Sequence, residues 1–167
     1  VGAARNRDQI LAWTNEALYS FVHTGPPFTF DVRLVAEGCG LIAPHAATVA
    51  GGKVYWMSPA QQFFVYDGAV RELTCDVGTY VFNRLNFDQK EKVFANPIGQ
   101  WGEVQWLYQA AGTSASSDCD SYVNYNYNEK VWSIGSLERS VWRDAGVHST
   151  PLAAGFDGKL YYHETGV

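Results

Sequence analysis

The chain has 167 residues and a mass of 18.5 kDa, which is enough for a domain with a buried core. Hydrophobic residues make up 47% of the sequence and charged residues only 17%, less than the usual quarter, so we expect neighbouring protein to cover part of the surface. The net charge of −5 argues against a nucleic-acid-binding groove, because such grooves need clustered Lys and Arg to neutralise phosphates.

The first part of the chain alternates strand-like runs with turn residues. Residues 9–14 and 17–23 predict a hairpin that ends at Gly25-Pro26-Pro27, because proline cannot continue a hydrogen-bonded ladder. Residues 28–37 alternate apolar and polar side chains, which predicts a strand with one buried face. The apolar residues of that face are Phe28, Phe30, Val32, Leu34 and Ala36.

Four short strands follow, and together they predict one sheet of the size of a propeller blade. Their residues are 46–50, 53–57, 61–66 and 69–73. The turns between them contain Gly51-Gly52, Ser58-Pro59 and Asp67-Gly68, and Gly and Asp tolerate the backbone angles of tight turns.

A helix is predicted next, over residues 76–86. Its apolar residues Val77, Tyr80, Val81 and Leu85 recur at helical spacing, and Asp76 is placed to cap its start. The mixed charges of residues 88–92 predict a solvated continuation of this helix or a turn.

Strand patterns resume at residues 103–108, and residues 112–120 predict a polar surface loop. Alternation over 122–127 and a turn at Asn128-Glu129 predict a hairpin with residues 130–137. A further strand begins at Val141, and residues 152–156 are expected to pair with 159–164 across Asp157-Gly158.

One turn signature recurs along the chain: two turn residues, then Lys or Ala, then Val or Leu, then an aromatic residue. The copies lie at residues 15–19, 51–55, 128–132 and 157–161, with a partial copy at 67–70. Their spacing is uneven, which indicates hairpins within blades that carry insertions rather than a regular array of blades.

These elements predict an all-β fold of antiparallel four-stranded blades, β-propeller-like, with one short helix near residues 76–86. Residues 1–167 form a single segment, with the first blades at about 9–73, a helical insertion at 76–95 and further blade strands at 101–167. The chain lacks an initiator Met and ends directly behind a predicted strand. We therefore expect it to be part of a longer polypeptide, truncated at both termini.

The sequence predicts no catalytic, cofactor-binding or metal-ligating residues, and therefore no enzyme. The histidines His23, His45, His148 and His163 lack the spacing of metal ligands, and no nucleophile elbow or phosphate-binding loop is present. Asp118 and Asp120 resemble part of a calcium loop, but the glycine and the downstream glutamate of such a loop are missing.

Three cysteines stand far apart, without a Cys-x-x-Cys pair, and predict neither a disulfide framework nor a zinc site. Cys39, Cys75 and Cys119 are interpreted as buried free thiols in a protein that folds in a reducing cytoplasm. No apolar run is long enough to span a membrane, and the first residues are not a signal peptide.

Six tryptophans leave two interpretations open, because indole rings both fill sheet cores and form stacking platforms for sugars. They are Trp13, Trp56, Trp101, Trp106, Trp132 and Trp142. Most lie inside predicted strands, which favours the core. The residues alone thus predict an all-β module with a scaffold or binding role.

Several stretches of the chain, in the same order, resemble segments of one known protein family. The resemblance begins with QILAWT and ALYS at residues 9–14 and 17–20, and continues with AGGKVYWM and FVYDG at 50–57 and 64–68. It extends through residues 80–82, 86–95, 103–108, 122–127, 129–132 and 151–154. Each stretch is weakly specific, and their collinearity over nearly the whole chain carries the resemblance.

The family that these stretches resemble is that of a structural tail protein of short-tailed bacteriophages, the tail nozzle, also called the packaged-DNA stabilisation or tail tube distal protein. The resemblance implies a β-propeller-like domain in a ring of identical subunits, six in number, that extends the portal channel, retains packaged DNA and conducts it during ejection. Its implied partners are other tail proteins (adaptor, tail fibres or needle), and DNA passes without sequence-specific binding. It implies a virion location after assembly in the bacterial cytoplasm, no cofactor and no membrane span. The alternative is a carbohydrate- or receptor-binding β-propeller module. A second rival is a hydrolase on a propeller scaffold, which would need carboxylates and His that converge on a central pocket.

Overall fold

The computed structural model describes residues 2–113 and 118–165, which form four antiparallel sheets in chain order. The first sheet contains β1 (Gly2–Asn6), β2 (Gln9–Trp13), β3 (Ala17–His23) and β4 (Phe30–Glu37). The second contains β5 (Ala47–Ala50), β6 (Lys53–Ser58), β7 (Gln62–Tyr66) and β8 (Val70–Leu73). The third contains β9 (Phe94–Ile98), β10 (Glu103–Tyr108), β11 (Ser121–Asn126) and β12 (Val131–Ser136). The fourth contains β13 (Val141–Arg143), β14 (Leu152–Ala154) and β15 (Leu160–Tyr162).

The first strands of successive sheets lie next to one another. Strand β1 packs against β5, β5 against β9, and β9 against β13. His45, just before β5, forms a parallel bridge with Phe94, and the amide of Ala95 donates to the His45 carbonyl at 2.8 Å. Each sheet runs outward from its first strand in sequence order. This is the arrangement of blades in a β-propeller, and it confirms the predicted all-β, blade-like fold.

The predicted helix is present as α1 (Gly78–Arg84), followed by a 3₁₀ helix (Phe87–Lys92). The proposed capping role of Asp76 is wrong, because α1 begins after Val77 without a side-chain cap. Asn86 instead caps the 3₁₀ helix by accepting the Asp88 amide. The residues of β9, which were not predicted as a strand, already belong to the third sheet, so the insertion ends before Phe94.

The expectation that the apolar face of residues 28–37 is buried is wrong. Phe30, Val32 and Leu34 on β4 are about half exposed, and Phe28 before the strand is more exposed still. The registers place Val32 beside Phe21 and Phe21 beside Ile10, on the side of the first sheet that faces away from the second. The other side carries Leu11 and Trp13, which are fully buried.

Aromatic side chains fill the spaces between the first three sheets. The rings of Trp13 and Trp56 are 5.4 Å apart between the first and second sheets, and those of Phe63 and Trp106 are 4.9 Å apart between the second and third. Two of the buried indoles also bind backbone: Trp56 Nε1 donates to the Cys39 carbonyl at 2.8 Å and Trp106 Nε1 to the Ala46 carbonyl at 3.1 Å.

The core interpretation of the tryptophans therefore holds for most of them. Trp13, Trp56, Trp106 and Trp142 are buried, and Trp132 is half-buried. Trp101 is the exception, since it lies in the turn between β9 and β10 and is 52% exposed.

The recurrent turn signature does not keep one fixed place within the sheets. It joins strands two and three in the first and fourth sheets, strands one and two in the second, and strands three and four in the third. This explains the uneven spacing of the copies: the repeated unit of the sequence is the hairpin, and blades begin at different points relative to it.

Replacing Trp106 by Phe should lower the free energy of unfolding by about 1–3 kcal/mol, because it removes the indole donor from the buried Ala46 carbonyl and leaves a small cavity. The matched change Trp101→Phe, at a half-exposed ring, should cost less than about 0.5 kcal/mol. Urea unfolding followed by circular dichroism measures both. Equal losses would contradict the assigned difference in burial.

Candidate functional site

The histidines do not converge on a common site. His23 lies against Phe30, His45 against Phe94 and His163 against Trp142, with ring centroids 5.6, 5.8 and 4.7 Å apart. His148 is exposed in the loop between β13 and β14. Each imidazole is therefore placed beside its own neighbours, and the part of the chain that the structure describes contains no group of three or more His, Cys, Asp or Glu able to hold a metal ion.

His163 is held as a neutral acceptor. Burial lowers the pKa of its imidazole, and the Arg139 guanidinium lowers it further. Arg139 Nε donates to His163 Nε2 at 3.0 Å and its guanidinium lies 4.1 Å from the centre of the Tyr161 ring. This arrangement links β15 to the segment before β13, and His163 Nε2 is occupied by the hydrogen bond from Arg139.

The two aspartates of the partial calcium motif stabilise their own loop. Asp120 accepts the Thr113 hydroxyl at 2.6 Å and the Ala110 amide at 2.9 Å, while Asp118 accepts the amide of the next residue. Burial raises the pKa of Asp120, but these hydrogen bonds more than offset it, so the pKa is lowered overall. Residues 114–117 of the predicted polar loop lie outside the described residues.

A polar cleft lies between α1 and the link that joins the third and fourth sheets. It is lined by Arg84, Asp120, Ser121, Ser136, Leu137, Glu138 and Arg139. The guanidinium of Arg84 lies over the Tyr80 ring at 5.3 Å, and that of Arg139 is bound as described above. With both cations and Asp120 engaged in structural contacts, the cleft does not resemble a catalytic constellation.

The thiols are free, as expected, and two of the three are buried. Burial raises the pKa of Cys119 to about 12 and that of Cys75, which is half-buried, to about 11. A thiol of such high pKa is almost fully protonated at neutral pH, so neither residue is an activated nucleophile.

The most distinctive surface lies on the first sheet, on the side away from the second sheet. We call it the first-sheet outer face; it contains Ala3, Arg5, Ile10, Ala12, Tyr19, Phe21, His23, Phe30, Val32 and Leu34. Ile10 is 42% exposed, Val32 52% and Leu34 51%. Exposed apolar side chains in such a contiguous patch usually mark an interaction surface.

A second apolar surface lies at the other end of the series of sheets. The fourth-sheet outer face contains Val141, Arg143, Leu152, Ala154, Leu160 and Tyr162. It is opposite to Trp142 and Ala153, which pack against Ile98 and Leu107 of the third sheet. Leu160 and Tyr162 are mostly exposed. Neither outer face was identified from the sequence, because alternation shows which residues share a face but not whether a neighbour covers it.

Comparison with known protein families gives no match, and no curated protein sequence matches the chain significantly. None of the helices in residues 2–113 and 118–165 is long and apolar enough to cross a membrane.

The protein should lose stability between about pH 9 and pH 12. Burial, with a smaller contribution from neighbouring Tyr125, raises the pKa of Tyr55 to about 12, and burial raises that of Tyr108 to about 12. Below pH 9 the phenols are neutral in both states; above pH 10 the unfolded chain ionises first and is favoured. Each phenol should cost about 1 kcal/mol by pH 11.

Urea unfolding at pH 8 and pH 11 tests this expectation. The Tyr55→Phe variant should show a smaller loss between the two pH values than the unchanged protein, and Tyr55→Phe with Tyr108→Phe a smaller loss again. A pH dependence that is the same in all three proteins would show that these phenols ionise freely in the folded state.

Proposed function

We propose that the chain is a structural module of the tail nozzle of a short-tailed bacteriophage, and not an enzyme. In this role it forms part of a ring of identical subunits, six by the resemblance, which extends the portal channel. The ring retains the packaged DNA and conducts it during ejection. Its location is the virion tail, after assembly in the host cytoplasm, in contact with adaptor, fibre or needle proteins.

One observation carries this proposal: the first three sheets pack closely against one another, while the outer faces of the first and fourth sheets expose apolar side chains. Three sheets are joined by buried aromatic rings, which suits a rigid wall. Both outer faces then offer apolar surface to further protein, as a subunit of a large assembly requires. The collinear sequence resemblance supplies the kind of assembly.

The charge balance supports passage of DNA rather than binding. The chain has 17 Asp and Glu against 12 Lys and Arg. A wall with excess negative charge repels the phosphate backbone, so duplex DNA can move along it without being held.

The alternative role, a carbohydrate- or receptor-binding module, has less support. Aromatic platforms for sugars must be exposed, and four of the six tryptophans, Trp142 among them, are buried. Trp101 is exposed, but its indole donates to Glu164 at 2.9 Å, which links the third sheet to the end of the fourth. One ring already engaged in this way is a poor basis for sugar recognition.

Purified phage particles from the native source provide the test. We expect the protein in virions, with rotationally symmetric density at the portal vertex into which the four sheets fit. Particles from a mutant that lacks the protein should package DNA but lose it, as measured by nuclease sensitivity of the packaged genome. The Trp101→Ala variant should assemble and retain DNA normally.

Two results would contradict the proposal. One is absence of the protein from virions, and the other is tight, strongly salt-dependent binding of duplex DNA to the assembled protein. Glycan binding that is lost in Trp101→Ala would favour the receptor-binding role instead.

A further inference from the structure

The second and third sheets each carry the same kind of cross-strand pair on the face that contacts the preceding sheet. In the second sheet Val54 on β6 lies opposite Tyr66 on β7, on the face that contacts the first sheet. In the third sheet Val104 on β10 lies opposite Tyr125 on β11, on the face that contacts the second. Both valines are fully buried and both tyrosines nearly so.

The first sheet carries the same pair in the same place, without a neighbour. Ile10 on its second strand lies opposite Phe21 on its third strand. The pair belongs to the first-sheet outer face, where Ile10 is 42% exposed while its counterparts in the inner sheets are covered. The exposed face of the first sheet therefore has the same kind of pair with which the inner sheets contact the sheet before them. It is equivalent in position to the sheet-to-sheet interfaces within the chain.

The next position along the second strand shows what the missing neighbour has to supply. Two residues after the aliphatic member of the pair, the inner sheets have the buried indoles Trp56 and Trp106. The first sheet has Ala12 there, beside Tyr19. A small residue stands here in place of an indole, so a sheet that packs closely on this face has to supply from its own side chains the volume that the indole fills in the inner sheets.

Arg5 adds an electrostatic requirement. It lies opposite Ile10 on β1, at the position that Val49 and Pro97 occupy in the second and third sheets. In the described part of the chain no ion pair involves Arg5. Covering a guanidinium with an apolar sheet is costly unless a carboxylate comes with the cover.

We infer that the first-sheet outer face is the docking surface for a further antiparallel four-stranded sheet, contributed by polypeptide outside these 167 residues. That sheet places a large apolar side chain over Ala12 and a carboxylate near Arg5. This inference goes beyond the phage-tail role and does not rest on it, because it is argued from the exposed residues of this face and their counterparts in the inner sheets.

The chain's own fourth sheet is not the occupant, because both outer faces are exposed within one chain. The fourth sheet of a second copy fits poorly. Its outer face carries Arg143 on β13, its first strand, as the first-sheet outer face carries Arg5 on β1. Stacking the two faces with their first strands adjacent, as the sheets of this chain stack, brings two guanidiniums together at an interface.

Photo-crosslinking in the protein as it occurs in its native source tests the inference. A benzophenone amino acid replaces Val32, which is exposed on the docking surface, and the crosslinked peptides are identified by mass spectrometry. We expect crosslinks to a strand-forming segment outside residues 1–167. A control benzophenone at Glu129, in the exposed β11–β12 turn, should not capture that segment.

A second measurement examines the role of Arg5. In the same native-source protein, a Val32→Cys thiol should react with a maleimide at least tenfold more slowly than in the isolated 167-residue chain. The added change Arg5→Glu should remove much of this protection, whereas Arg5→Lys should retain it.

The possible outcomes separate the inference from its rivals. Crosslinks from position 32 to residues 141–162 would overturn it in favour of a second copy, which isotope-mixed protein identifies. Absence of crosslinks together with unprotected Val32→Cys would show that the face remains open, and would also overturn it. Neither result would bear on whether the protein is found in virions.

Discussion

The structure depends on aromatic side chains that pack between successive sheets. A β-sheet has two faces, and an inner blade must bury both against its neighbours. The second sheet does so with Trp56 against Trp13 on one side and Phe63 against Trp106 on the other. Such ring pairs each add about 0.5–1.5 kcal/mol beyond the apolar area they bury. The indole hydrogen bonds to the Cys39 and Ala46 carbonyls attach the same rings to the segment between the first and second sheets. The rings that pack the sheets together therefore also fix the position of this connecting segment.

That connecting segment also shows why a small residue is needed at one point. The Cys39 amide donates to the Glu16 carbonyl at 3.1 Å, and the Leu41 amide donates to the Thr14 carbonyl at 3.2 Å. Between them, a Cβ on Gly40 would lie 1.9 Å from the carbonyl oxygen of Asn15. Only glycine fits, because backbone meets backbone and neither can move without breaking these bonds. The first predicted hairpin is therefore held against the segment that leads into the second sheet.

Most of the hairpins were predictable, although β1 was not predicted, and the covered faces were not predictable. Dipeptides such as Gly51-Gly52 determine local turns, so their strands lie where the sequence indicates. Strand β9 was missed because it contains Pro97, which is tolerated there since β9 is the edge of its sheet. The alternation of β4 correctly predicted a strand, but burial depends on a neighbouring sheet that local pattern cannot reveal. For the same reason the sequence could not locate the two outer faces, which are the most informative surfaces of the molecule.

The polar side chains described above mainly stabilise loops and strand ends. Asp120 holds a loop, and Arg139 and His163 fasten β15. The ion pairs within residues 2–113 and 118–165 are local: Asp31 with Arg33, Asp67 with Arg71 and Asp157 with Lys159 all lie near the surface, where such pairs contribute little. The stability of the fold therefore depends on apolar packing between sheets. The weakest contact between sheets is expected where polar side chains take part in the packing. The face of the third sheet that contacts the fourth includes the buried amides of Asn96 and Gln105. Because buried amides stabilise packing less than aromatic rings do, the fourth sheet should be the first to unfold as denaturant is raised.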